Sequence, residues 1–228
     1  MTSRFHFLML IALVTFACFS CKSQSQQAPP SPPPPAVERP KIVAFGDSLT
    51  AGLGLTAAET YPAQLQKLLD AAGYQYEVVN AGVSGETTAG GLRRMEWTLD
   101  GDVRFVILEL GANDILRGQP VDLLKENLTK MIDAIQRKGA TVILAGMEAP
   151  TNSGPEYRLE VHNAYKDVAE QYKLPFIPFL LKGVAGVESL NQEDLSHPNA
   201  EGARIVAQNV LVVLKPLLDR NTRSQPAK

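Results

Sequence analysis

From Lys41 onward, short apolar runs alternate with segments of helical period, and this alternation constrains the fold more than any other feature of the chain. The runs Lys41–Phe45, Gln75–Asn80, Arg104–Leu110, Thr141–Gly146 and the short Pro175–Pro178 have the lengths of strands. Between them, Thr60–Ala72, Thr88–Leu99, Val121–Lys138 and Gly154–Tyr172 read as helices, and a last helix is expected from Ala200 to Leu218. In the third of these, Leu124, Leu128, Met131, Ile132 and Ile135 recur at helical spacing, and the last places Ile205, Val206, Val210, Val213 and Leu214 along one side. Strands that alternate with helices need right-handed crossovers, which produce a parallel sheet with helices on both faces. The expected class is therefore α/β, with five parallel strands.

The first run ends where chemistry would be placed. Ile42 to Phe45 are four apolar residues in succession, as suits a strand covered on both faces. Gly46 stops the run, and Asp47-Ser48 follow at the handover to a loop. Ligands of open α/β sheets bind outside the carboxyl ends of the strands, so Ser48 is a candidate nucleophile. Asp47 and Ser48 are equally the residue types that cap a turn or helix.

Elimination narrows the chemistry. The chain has 228 residues, enough for one domain with a real core, and its hydrophobic (45%) and charged (20%) fractions are ordinary. Its two cysteines, Cys18 and Cys21, both precede Lys41, so the folded part offers no disulfide, thiolate nucleophile or cysteine metal site. With Arg4, Lys22 and Arg39 set against Glu38 in the first 40 residues, the remainder carries 19 basic and 23 acidic groups. No basic stripe stands out, and nucleic-acid binding lacks electrostatic support. Gly52-Leu53-Gly54-Leu55-Thr56-Ala57 fits the loose dinucleotide pattern G-x-G-x-x-A. However, six residues separate it from the strand, and the second strand run ends in Asn80 rather than an acid. Those glycines are better suited to letting the loop after Ser48 approach a substrate, and no cofactor or metal is expected.

The first 40 residues are of another kind. Arg4 precedes the apolar run Phe7–Phe19, which has the length of a signal-peptide core and falls short of the roughly 20 residues that span a bilayer. Phe19-Ser20-Cys21-Lys22 resembles the cleavage box of bacterial lipoproteins, with Cys21 as the lipid-bearing residue and Cys18 where an aliphatic residue is usual. An ordinary cleaved signal peptide or an uncleaved anchor are the alternatives. Ser23–Pro40 is rich in Gln, Ser and Pro, with seven of the 16 prolines between Pro29 and Pro40. That composition makes an extended spacer and not a core. The organisation expected is a leader over 1–21, a linker over 22–40, a catalytic domain over 41–219 and a polar tail over 220–228. The protein is expected to be exported, periplasmic or anchored to the outer membrane, with no other membrane contact.

Of three histidines, His6 lies in the leader and His162 falls mid-helix as a surface residue. His197 sits in Asp194-Leu195-Ser196-His197-Pro198-Asn199, where a carboxylate three residues earlier can reach Nδ1 while Nε2 faces outward. A general base needs that arrangement, although Asp194 and Ser196 would also serve to cap the last helix. Two further stretches follow strand ends, Asn80-Ala81-Gly82-Val83-Ser84-Gly85-Glu86 and Gly111-Ala112-Asn113-Asp114. A glycine N–H and an Asn amide are suitable donors to a developing oxyanion, and both residue types are also turn formers. Ser84 is a rival nucleophile, but Gly82-Val83-Ser84-Gly85-Glu86 lacks the second glycine of the G-x-S-x-G elbow.

Taken in order, Gly46-Asp47-Ser48-Leu49, Gly82, Gly111-Ala112-Asn113-Asp114 and Asp194-x-x-His197-Pro198 resemble the blocks of the SGNH (GDSL) hydrolase family. The likeness covers about residues 41–215. It is similar above all to the thioesterase/lysophospholipase and arylesterase branch, to which Gly146-Met147-Glu148-Ala149-Pro150 and Gly154-Pro155-Glu156-Tyr157 also correspond. The resemblance implies a flavodoxin-like three-layer α/β/α sandwich. It implies Ser48 as nucleophile, His197 as base and Asp194 as the orienting carboxylate. The oxyanion donors it implies are the N–H groups of Ser48 and Gly82 and the Asn113 amide. The substrate would be a small acyl ester or thioester, with a carbohydrate O-acetylesterase or a non-catalytic binding lipoprotein as alternatives. The loops Leu53–Thr56, Leu116–Pro120, Ala149–Arg158 and Lys182–Gly186 are expected to line the acyl site.

Overall fold

Ile42, Val43, Ala44 and Phe45 form the middle of β1 (Lys41–Gly46) and are completely buried, because β1 lies inside the sheet and is covered on both faces. In the computed structural model, which describes residues 38–224, β1 pairs in parallel with β2 (Glu77–Gly82) on one side and β3 (Val103–Glu109) on the other. β4 (Thr141–Ala145) and the two-residue β5 (Phe176–Ile177) continue the sheet, giving the order β2-β1-β3-β4-β5. The leader, Cys21 and the linker as far as Val37 lie outside the described residues.

The helices divide between the two faces. α2 (Tyr61–Ala71) packs with α7 (Ala200–Ser224), while α3 (Thr88–Thr98) packs with α5 (Val121–Arg137), and α5 with α6 (Pro155–Tyr172). This is the three-layer, flavodoxin-like arrangement expected from the sequence. On α5, Leu124, Leu128, Met131, Ile132 and Ile135 all point into the core, as their spacing predicts. On α7 the stripe is Ala203, Val206, Ala207, Val210, Leu214 and Leu218, with Ile205 and Val213 only half-buried at its margins.

The strands and long helices fall within a few residues of their expected limits. Two short helices were not expected: α1 (Ser48–Ala51) and α4 (Ala112–Leu116). With four and five residues they are too short for a period to show in sequence. α7 continues past the expected end at Leu218 to Ser224. Pro216 does not stop it, because Pro216 and Val212 lie on the exposed side, where solvent can take the carbonyl that proline leaves unpaired.

The strand order reverses direction between β1 and β3, since β1 connects outward to β2 and the chain then crosses back to β3. A crevice opens at such a switch point, beyond the carboxyl ends of the two strands. α1 follows β1 there, and α4 follows β3.

Candidate active site

Ser48 is the first residue of α1, and Asp47 is its N-cap, with Oδ1 accepting the Leu49 N–H at 3.0 Å. Capping therefore belongs to Asp47, while the Ser48 hydroxyl is left to face the crevice. Its Oγ lies 2.8 Å from Nε2 of His197, a residue 149 positions further along the chain. Asp47 takes the capping part, and the Ser48 hydroxyl is bonded to the histidine instead.

His197 is held from behind. Its Nδ1–H donates to Asp194 Oδ2 at 2.6 Å, while Asp194 Oδ1 accepts the backbone N–H groups of Ser196 (2.9 Å) and His197 (3.0 Å). These backbone bonds, more than the imidazole, hold the Asp194 carboxyl down to about 2. With Nδ1 protonated toward Asp194, the Nε2 lone pair is directed at the Ser48 hydroxyl. The loop is braced on both sides: Gln192 N–H donates to the His197 carbonyl at 2.8 Å, and Gln192 Nε2 reaches the Leu53 carbonyl in the loop after α1 at 2.6 Å. Leu195, between Asp194 and Ser196, takes a left-handed φ of 57°, a conformation L side chains rarely adopt. Asn199 caps α7 through Oδ1, which accepts the N–H groups of Glu201 and Gly202, so that role falls to neither Asp194 nor Ser196.

Asn113 sits in α4, and its Nδ2 donates to Asp47 Oδ2 at 3.1 Å and to the Glu86 carbonyl at 3.0 Å. The helix is placed by the next residue. Asp114 is buried, and its carboxylate accepts both the N–H (2.8 Å) and the hydroxyl (2.6 Å) of Thr88, the first residue of α3. Gly111, just before α4, has φ 122°, and a Cβ there would lie 2.1 Å from the Tyr165 hydroxyl oxygen. Gly82 ends β2 with its backbone against α1, where an added Cβ would come within 2.1 Å of Ala51 N. Its N–H donates to Asn80 Oδ1 at 3.0 Å.

Beneath the turn that carries Ser48 lies a polar group that sequence reasoning missed. Glu109, the last residue of β3, is fully buried, and its Oε2 meets the Asp47 N–H at 3.2 Å and the Thr50 hydroxyl at 2.7 Å. Thr50 in turn bonds to the hydroxyl of the buried Tyr61 at 3.1 Å. Burial pushes the Asp47 carboxyl up to about 6, opposed by its bonds to Leu49 and Asn113. Burial pushes Glu109 well above the ordinary carboxylate range, and the neighbouring Asp47 pushes it further. The available signal was an acid placed inside the apolar run Arg104–Leu110, where glutamate is rarely buried without a partner.

The remaining candidates separate from this cluster. Ser84 is an exposed turn residue, and His162 lies exposed on α6. A cavity of about 10 Å³, room for one water molecule, opens beside Ser48 and His197 and is bordered by Leu53, Leu55, Tyr61 and Leu181. Of the loops expected to line an acyl site, only the first borders it. Ala149, Pro155 and Arg158 instead border a surface groove with His162. Among the described residues, no group of three His, Cys, Asp or Glu side chains is arranged to hold a metal, and no helix is long and apolar enough to cross a membrane.

Residues 44–205, which include every position of this cluster, match the model of the GDSL-like lipase/acylhydrolase family. Esterase TesA of Pseudomonas aeruginosa is 42% identical over 178 residues, covering 78% of this chain and 89% of the relative. An arylesterase of Vibrio mimicus is 34% identical over 171 residues, covering 75% of this chain and 86% of the relative. Among solved structures, AlinE4, described as an SGNH-hydrolase family esterase, is 38% identical with a TM-score of 0.67, covering 84% of this chain and 99% of that one. The chain belongs to the GDSL-like lipase/acylhydrolase family, and is an ester-hydrolysing serine hydrolase of the SGNH fold.

Proposed function

We propose that the protein is an exported esterase that cleaves carboxylic esters or thioesters through an acyl-enzyme on Ser48. The observation that carries this reading is the linear array Ser48 Oγ, His197 Nε2, His197 Nδ1 and Asp194 Oδ2, with separations of 2.8 and 2.6 Å at its two hydrogen bonds. As Oγ attacks the acyl carbon, its proton passes to Nε2 and the carbonyl electron pair moves onto oxygen. When the tetrahedral centre collapses, the alcohol or thiol leaves with that proton. Water then repeats the sequence: its proton goes to Nε2, its oxygen bonds to the acyl carbon, and Ser48 departs with the proton as the acid is released.

The donors for the oxyanion are the N–H groups of Ser48 and Gly82 and the Asn113 amide. Gly82 and Asn113 already have acceptors, namely Asn80 Oδ1 for the former and Asp47 and the Glu86 carbonyl for the latter. An anionic oxygen is the stronger acceptor, so exchanging Asn80 Oδ1 and the Glu86 carbonyl for it is favourable. Asp47, ionised above about pH 6, keeps one face of the Asn113 amide in place during that exchange.

The 10 Å³ cavity beside Ser48 supports a second reading, a carbohydrate O-acetylesterase, because it admits no more than a very short acyl group. A longer chain would have to lie across the open face near Leu53, which is half exposed. Export is supported by the apolar segment Phe7–Phe19, and anchoring by Cys21 at its end.

Two measurements test the reading. Ser48→Ala should abolish turnover of p-nitrophenyl acyl esters and labelling by a fluorophosphonate, and a variant that retains either overturns the assignment. A matched series of esters and thioesters of increasing acyl length then separates the two substrate classes, since an acetylesterase accepts acetyl groups alone.

A further inference from the structure

The buried carboxyl of Glu109 has no part in the scheme above, yet it contacts both flanks of the nucleophile. Oε2 takes the backbone N–H of Asp47, just before Ser48, and the hydroxyl of Thr50, two residues after it. The fit is close: a Cβ on Gly46 would come within 2.2 Å of both Glu109 Oε2 and Thr50 Oγ1. The other oxygen, Oε1, is buried with no hydrogen-bond partner. No salt bridge to Glu109 is present among the described residues, and the ionisable groups that face it are Asp47, Tyr61 on α2 and Tyr165 on α6.

We propose that Glu109 is a positioning residue for Ser48, an uncharged carboxylic acid that clamps the nucleophile turn from below. The proposal rests on the reading of Ser48 as nucleophile. A carboxylate here would leave one anionic oxygen dry and unpaired beside the carboxylate of Asp47, which is among the costliest arrangements a core can hold. A carboxylic acid removes that cost. Its hydroxyl, at Oε2, donates to Thr50 Oγ1 and accepts the Asp47 N–H, and the Thr50 hydroxyl in turn donates a hydrogen bond to the Tyr61 oxygen. Oε1 is then a carbonyl oxygen, and an unpaired buried acceptor is tolerated far better than an unpaired charge. Of the two adjacent acids, Asp47 keeps the charge, because it accepts from Leu49 and Asn113 and is drawn down by His197.

This role explains why an acid, and neither an amide nor an apolar residue, suits the site. Glutamine can place its oxygen at Oε2, but must then leave an amide NH₂ unpaired where Glu109 has only an acceptor. Leucine releases both flanks of the turn.

Infrared spectroscopy of the full-length enzyme at pH 8 should show a carboxylic-acid C=O stretch that disappears in Glu109→Gln. Glu109→Leu should lower kcat by about 10- to 100-fold through misplacement of Oγ, with KM within about threefold of the original. Glu109→Gln should recover most of that loss and leave the acid limb of the pH–rate profile unshifted. Should Glu109→Leu fail to fold, Thr50→Val removes the Thr50 contact, together with its bond to Tyr61, while leaving the Asp47 N–H on Glu109, and should lower kcat in the same sense with KM unchanged. The proposal is overturned if the acid band is absent, if Gln is as inactive as Leu or shifts the acid limb, or if the variant read in place of Leu keeps full kcat. Ser48→Ala assayed in parallel distinguishes the failures: if that variant still turns over, the nucleophile assignment is wrong, whereas an inactive Ser48→Ala confines the failure to Glu109.

Discussion

Asp47 and Asn113 meet at 3.1 Å across the carboxyl ends of β1 and β3, so the residue that caps α1, with Ser48 at its start, also grips the amide proposed to face the oxyanion. A single carboxylate thereby ties together the residues that follow two strands, and several consequences of that tie can be measured.

Asn113→Ala should leave the fold intact, since Asp114 and not Asn113 anchors α4 to α3. It should lower kcat by about 10²–10³ while changing KM little, as expected when a donor to the oxyanion is lost. Steady-state kinetics on a single p-nitrophenyl ester checks both parts.

The acid limb of the rate profile should be steeper than one proton. A proton on His197 removes the base, and a proton on Asp47, whose carboxyl titrates at about 6, weakens its hold on the Asn113 amide. These groups interact, so the limb reports the pair and not either residue alone. Asp47→Asn should reduce the limit of log rate against pH to a single-proton slope, and should lower the plateau because an amide facing an amide repels one of its hydrogens. Stability has the opposite dependence: a buried acid with a raised value favours the fold most below its ordinary range, and that contribution is lost as pH rises through about 6.

Asp194→Asn should reduce kcat by about 10²–10⁴, because the wrong imidazole tautomer is then stabilised at Nδ1. Its effect on stability should be small at neutral pH, as the Asp194 side chain is 48% exposed and solvent screens the pair. The contribution that Asp194 does make is present above the ordinary carboxylate range and fades as pH falls through about 2. Thermal melts at pH 3 and pH 7 beside the kinetics separate the two effects.

Gly46→Ala should destabilise the fold by about 2–3 kcal/mol and abolish most activity. The added methyl would overlap Glu109 Oε2, Thr50 Oγ1 and the Glu109 carbonyl, the last of which is backbone and cannot step aside. Denaturant midpoints, with unchanged slope, give the stability part.

What could be read in the sequence was what local pattern encodes. The run Ile42–Phe45 showed a strand buried on both faces, and the stripe from Leu124 to Ile135 showed the buried side of α5. Asp194 and His197 were legible as a pair because three residues and a turn bring them together. Glu109 was not, because its meaning depends on Asp47 and Thr50, contributed by α1 and its N-cap some sixty residues earlier. The α1 and α4 helices were hidden for a different reason: each is shorter than the period that reveals a helix. The loops expected at the acyl site were harder to place, because loop sequence does not say which way a loop leans: Leu53 and Leu55 border the cavity beside Ser48, whereas Ala149, Pro155 and Arg158 border a separate groove with His162.

The 149 positions between Ser48 and His197 also fix the order in which a growing chain can gain function. Ser48 and the five strands all precede the loop that carries Asp194 and His197, which comes just before α7. A chain still short of that loop during synthesis has the serine but neither the imidazole that lies 2.8 Å from it nor the carboxylate behind that imidazole.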